Sequence, residues 1–169
     1  MGKKILRVGI VGGGIIGTST SPLYNTDKSK VTDVLRRDPE KAKKLGEELN
    51  AKFHSAPTFS SKELKSMLKK KFDLTVLAMI PGVQKKVAIE CAEQDKPLYV
   101  EKMFMRNEQE AQEVVQAFKS KGIPLFVAHF CRCMPQIQYV KQLIDSNSIG
   151  NIKNIQMYVK IIFLRGIKI

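Results

Sequence analysis

The stretch that most constrains this chain is its beginning. An apolar, β-branched run from Lys4 to Val11 (KILRVGIV) passes directly into Gly12-Gly13-Gly14-Ile15-Ile16-Gly17. Such a run predicts a buried strand. The glycines predict a tight turn and then a helix, at the spacing G-x-G-x-x-G. Each glycine has a physical task there. Gly12 permits the turn, Gly14 lets the backbone approach a pyrophosphate, and Gly17 lets the helix lie close on the sheet. The unpaired N–H groups and the dipole at the helix start would hold the anion. The competing reading is a glycine-rich turn with no ligand.

The rest of the chain repeats the strand–helix unit. A first helix is expected from Ile15 to about Tyr24, weakened by Pro22 and the Thr18–Ser21 run. Lys30–Arg36 reads as the second strand. Asp38 then caps, and Pro39 starts, a helix to about Leu49. Phe53 marks a short third strand, and Ser60 or Ser61 caps a helix through about Lys70. Asp73–Met79 is the fourth strand. A helix from Gly82 to Gln94 follows, with Val83, Val87 and Cys91 on one face. Pro97–Val100 is the fifth strand. Asn107 opens a capping-box helix expected to bury Ala111, Val114, Val115 and Phe118. Ile123–Ala128 is the sixth strand and Pro135–Asp145 the last helix. This alternation predicts an α/β fold with a doubly wound parallel sheet, the Rossmann arrangement, over residues 1–150. Residues 152–164 (IKNIQMYVKIIFL) read as one long strand, so that 151–169 would begin a second α/β domain.

Composition narrows the function classes. The apolar share of 43% and charged share of 27% over 169 residues are those of a globular domain with a real core. No apolar run approaches the roughly 20 residues that span a bilayer. No export signal is visible, which points to the cytosol. The net charge of +13 raises the possibility of polyanion binding. Its lysines, however, are spread over many segments, mostly on the polar sides of amphipathic helices. A solvated basic surface, attractive to phosphate-bearing cofactors, is the plainer reading, and a nucleic-acid partner is not expected. Cys91, Cys131 and Cys133 are too few and too oddly numbered for a disulfide framework. With only two histidines they supply no obvious metal cluster, and buried or partly buried thiols are expected.

The end of the second strand separates the two nicotinamide dinucleotides. An NAD-preferring fold places a carboxylate about 20 positions after the glycines, on the ribose 2′-hydroxyl. Here Arg36 stands nineteen positions after Gly17 and is followed by Arg37. Two guanidinium groups suit a 2′-phosphate, and either could stack on adenine. The expected cofactor is NADP(H) in preference to NAD(H). The alternative is a pair of solvated arginines.

Several later segments together resemble one family. Arg37-Asp38-Pro39-Glu40-Lys41-Ala42 resembles the segment after the second strand in the Gfo/Idh/MocA oxidoreductases. Tyr99-Val100-Glu101-Lys102 resembles that family's E-K-P motif. His129-Phe130-Cys131-Arg132 with Pro135, and Leu143–Ser146 with Ile149-Gly150, resemble the segments that lead out of its first domain. The resemblance implies a Rossmann domain followed by an α/β substrate domain with an open sheet. It implies hydride transfer between a nicotinamide cofactor and a sugar- or polyol-type hydroxyl or carbonyl compound. It places Lys102 beside nicotinamide and substrate as the catalytic residue, where an ammonium can hold a substrate oxygen and exchange a proton as hydride moves. Glu101 would help fix that turn. The expected cofactor-binding set is thus Gly12, Gly14, Ile15, Ile16, Gly17, Arg36, Arg37, Met79, Glu101 and Lys102, with no metal.

The sequence also departs from that pattern. Met103 stands for the E-K-P proline, which is often cis in the family. Ile80-Pro81-Gly82 and Lys85 replace the polar pair and histidine of the family's T-P-N-x-x-H segment. The chain stops where the substrate domain would begin, so it is expected to be a fragment or truncated product. His54 is expected at the surface, and His129 is assigned no role. A dinucleotide-binding module or pseudoenzyme is the competing function, and an oligomer is possible.

Overall fold

The computed structural model describes residues 4–14, 17, 21–58 and 62–156, with the backbone only at 22 and 23. The chain divides into two compact units, Met1–His129 and Phe130–Ile169.

In the first unit, six strands form one sheet: β1 (Leu6–Gly12), β2 (Ser29–Arg36), β3 (Lys52–Ser55), β4 (Leu74–Ala78), β5 (Leu98–Val100) and β6 (Leu125–Val127). Their spatial order is β3-β2-β1-β4-β5-β6, and every pairing is parallel. The order reverses between β1 and β4. Such a reversal leaves a crevice outside the carboxyl ends of the central strands, where α/β sheets bind ligands. The expected doubly wound sheet is therefore present.

Side-chain alternation explains how the sheet is covered. Val8 and Ile10 of β1 point to one face and join Val31, Val34 and Val76 beneath Leu45 and Leu49 of α1 (Pro39–Leu49). Val11 points to the other face with Leu35 and Leu77. There it meets Leu64 and Met67 of α2 (Lys62–Leu68), Val87 and Cys91 of α3 (Pro81–Glu93), and Val114 and Phe118 of α4 (Glu108–Ser120). At the amino-terminal end of the sheet, Asp73 accepts hydrogen bonds from the Arg7 amide (2.9 Å) and guanidinium (3.1 Å) and from Lys4 (3.0 Å). The Arg7 hydrogen bonds hold the Asp73 carboxyl well below the usual carboxylate range.

Several details depart from the expectations. In place of the last turn of the first helix there is a 3-10 turn, Ser21–Tyr24; Gly17 is helical, and Ile15, Ile16 and residues 18–20 lie outside the described residues. The expected cap at Ser60 or Ser61 also lies outside them. Val115 is exposed at 45%, not buried. The buried stripe of α4 runs through Glu110, Val114 and Phe118, and Val115 sits about 100° around the helix from Val114. Asn107 caps α4 through the Glu110 amide (3.0 Å), as expected. The Glu110 side chain, however, turns to the amide and guanidinium of Arg106 rather than closing a capping box. His54 is only partly exposed, less than a surface position would be. It is mostly covered, with Nε2 2.9 Å from Oδ1 of Asp33, a buried carboxylate that Lys70 also approaches at 3.4 Å.

In the second unit, a 3-10 turn at Phe130–Cys133 leads into α5 (Pro135–Asp145). Cys131 and Cys133 are exposed, against expectation, whereas Cys91 is fully buried. Residues 152–156 take no regular structure, so the expected long strand does not begin there; a strand needs a pairing partner. Residues 157–164 of that expectation lie outside the described residues. Among the described residues, no helix is long and apolar enough to cross a membrane.

Candidate functional site

The carboxyl ends of β1, β2 and β4 surround a cleft of about 350 Å³ in the first unit. Its walls are Gly12, Gly13 and Gly14 after β1, Arg36, Arg37, Asp38 and Lys41 after β2, and Ala78, Met79, Ile80 and Val83 after β4. Five expected site residues, Gly12, Gly14, Arg36, Arg37 and Met79, thus line one cavity. Ile15 and Ile16 lie outside the described residues.

The three motif glycines have different structural reasons. Gly12 has φ +99°, and a Cβ there would lie 2.2 Å from the carbonyl oxygen of Ala78. The end of the neighbouring strand β4 lies too close to the turn leaving β1 to admit any side chain. A Cβ on Gly17 would meet the Cβ of Ala78 at 3.0 Å, the close helix–sheet contact expected of that position. Gly14 is the contrast: among the described residues nothing lies within 4 Å of a Cβ built on it. Among the described residues, no steric contact requires glycine there. What glycine leaves open is backbone facing the cleft, the cradle that a pyrophosphate would occupy. The residues present therefore fit a dinucleotide.

The β2 side of the cleft is cationic. The Arg36 side chain lies over the glycine loop, with Nε 3.0 Å from where a Gly13 Cβ would stand. Arg37 is exposed, and Lys41 adds a third cation. Lys41 and Asp38 carry no signal in a glycine-fingerprint reading, because the preceding Arg pair already occupies the discriminating position. Asp38 caps α1 as expected, accepting from the Lys41 amide at 3.0 Å, and its carboxylate is 3.7 Å from Lys41 Nζ. The Lys41 backbone hydrogen bond holds the Asp38 carboxyl below its ordinary range. This carboxylate is spent on the helix and its own cation.

Glu101 and Lys102 follow β5 on the same edge of the sheet but do not line the cleft. The Glu101 amide donates to Leu77 O at 2.9 Å, extending the β4–β5 pairing. Lys102 and Met103 are exposed, and the peptide bond between them is cis. Beneath this loop lies Gln84, fully buried on the first turn of α3. Helix phase decides which residue turns inward: Gln84 shares a face with Val87, Ala88 and Cys91. Lys85, which the sequence placed at the histidine position, instead pairs outward with Glu113 of α4 at 2.5 Å. Cys91 is fully buried, and that burial pushes its thiol up to about 12.

A sequence model of the Gfo/Idh/MocA group, described as an oxidoreductase family with an NAD-binding Rossmann fold, matches residues 6–129. The chain is 27% identical over 154 residues to Oxidoreductase P35 of Formosa agariphila, covering 90% of this chain and 46% of that protein. It is 25% identical over 150 residues to the 2,7-anhydro-N-acetylneuraminate hydratase of Escherichia coli, covering 88% of this chain and 38% of that one. Among solved structures, the WlbA dehydrogenase of Bordetella pertussis, crystallised with NADH and UDP-GlcNAcA, matches with a TM-score of 0.78 at 24% identity. That match covers 89% of this chain and 42% of WlbA, and it shows the fold. The chain spans less than half the length of each of these relatives.

Proposed function

This chain belongs to the Gfo/Idh/MocA oxidoreductase family, and we propose that it is the cofactor-binding part of an NADP(H)-favouring oxidoreductase acting on a sugar- or polyol-type hydroxyl or carbonyl substrate. The observation that carries the reading is the Cβ position of Gly14, open among the described residues, on a cleft it shares with Gly12, whose own Cβ position Ala78 closes. In this reading the pyrophosphate rests on the Gly12–Gly14 backbone. Arg36, Arg37 and Lys41 hold the 2′-phosphate, and Met79 flanks the nicotinamide side. The cofactor, when bound, supplies or accepts the hydride. Lys102 holds the substrate oxygen and gives or takes its proton, with Glu101 fixing the turn. Residues 1–150 form the cofactor domain, residues 151–169 open the substrate domain, and the protein works in the cytosol.

Fluorescence titration with NADPH and NADH tests the cofactor preference. NADPH is expected to bind more tightly by at least about tenfold, the worth of one charge-assisted hydrogen bond. A preference for NADH of even a few-fold contradicts it. A second reading, a dinucleotide-binding module without turnover, is favoured by the exposure of Lys102 outside the cleft wall. Binding of NADPH with no turnover on a panel of sugars and polyols would select it.

A further inference from the structure

We infer that Gln84 is a positioning residue that locks the Lys102 loop to the wall of the cofactor cleft; the inference rests on the proposed role of Lys102. The Gln84 side chain is entirely buried, and a primary amide offers two N–H donors and a carbonyl acceptor. All are directed at backbone. Nε2 donates to the carbonyl of Met79 at 2.9 Å and reaches that of Glu101 at 3.5 Å. Oε1 accepts from the Met105 amide at 2.9 Å. Met79 lines the cleft, Glu101 immediately precedes Lys102, and Met105 closes the loop with φ +60°. One side chain thus ties together the segments leaving β4 and β5, with Lys102 and Met103 exposed between its attachment points.

The alternatives for this residue are physically distinct. An apolar side chain of the same length would fill the space and leave the Met79 and Glu101 carbonyls and the Met105 amide without this partner, which is costly for buried backbone groups. A purely space-filling role would tolerate that exchange. A positioning role predicts that the effect appears in the loop and in its coupling to the cleft, while the distant core stays intact.

Two variants test this in the full chain: Gln84→Met removes all three hydrogen bonds, and Gln84→Glu keeps an oxygen for the Met105 amide. Amide hydrogen exchange reads the loop without any cofactor. In Gln84→Met, residues 102–105 should exchange about tenfold faster, with the Val8–Val11 amides unchanged. In Gln84→Glu, the Met105 amide should stay protected. Unchanged exchange in the loop, or equal acceleration everywhere, overturns the inference. The second readout is acylation of Lys102 by an amine-reactive ester, followed by mass spectrometry with and without NADPH. NADPH should slow Lys102 labelling in the unaltered protein, and this protection should fall several-fold in Gln84→Met at saturating NADPH. Full protection in the variant contradicts the positioning role. Absence of protection in the unaltered protein instead contradicts the placement of Lys102 beside the cofactor, and the exchange result still judges Gln84.

Discussion

The glycine loop after β1 and the Glu101–Lys102 loop after β5 leave the same edge of one parallel sheet, but they are held differently. The first is fixed by exclusion. Gly12 and Gly17 press against Ala78, and the cleft they leave is walled by three segments of the same unit. The second is fixed by hydrogen bonds from below, through Gln84, and its exposed lysine does not line the cleft. The binding half of the proposed chemistry is therefore built within residues 12–83. The reacting half is a loop presented after β5.

That contrast can be broken most forcefully inside the glycine loop. Gly12→Ala should cost about 3 kcal/mol or more, because it combines a side chain at positive φ with an overlap against Ala78 O. Chemical denaturation measures this. Gly14→Asp should leave stability within about 0.5 kcal/mol and weaken NADPH binding by about a hundredfold or more, since it fills the cradle and adds a charge against the pyrophosphate. Equal stability losses at the two positions would erase the distinction between a glycine required by the fold and one required by the ligand.

The cationic wall offers a finer test. Arg36→Ala should weaken NADPH binding by about 1.5–3 kcal/mol, the worth of hydrogen bonds to a charged group, with a smaller effect on NADH. Equal losses for both cofactors would move Arg36 from the 2′-phosphate to a stacking role. The smallest effect lies away from the cleft. Burial alone would raise the Asp33 carboxyl, but hydrogen bonds from His54 and Thr32 and the charge of Lys70 outweigh it and hold the group below its ordinary value of 3.8. A depressed folded value contributes stability above the unfolded one and loses it as pH falls through the folded value. The melting-temperature gap between the unaltered protein and Asp33→Asn should be full above about pH 5 and shrink below it. A gap that widens in acid contradicts the sign.

Most of the fold was legible because its signals are local and periodic. β-branched runs, the Asp38 and Asn107 caps, and the glycine spacing all report structure within a few residues. Val115 was misplaced because apolar spacing alone does not settle which way a helix faces. Glu110 and Gln84 carry the buried polar side of their helices, and a pattern of apolar residues does not see them. His54 was missed because its partner Asp33 lies on another strand, 21 positions away. The cleft was legible at Gly12, Gly14, Arg36 and Arg37, whose chemistry is tied to sequence distance. Lys41 and Val83 enter it only through the turn of their helices, and Gln84 gains its meaning from three backbone groups on separate loops.

In the proposed reading, a dinucleotide docks over Gly14 in the first unit. Backbone amide chemical-shift mapping with NADPH tests it directly. The shifts should concentrate at Gly12–Gly14, at Arg36–Lys41 and around Met79–Val83, and should spare the separate lysine-lined groove of Lys30, Lys52, Lys69 and Lys71. Shifts centred on that lysine groove, or none at saturating NADPH, would contradict it.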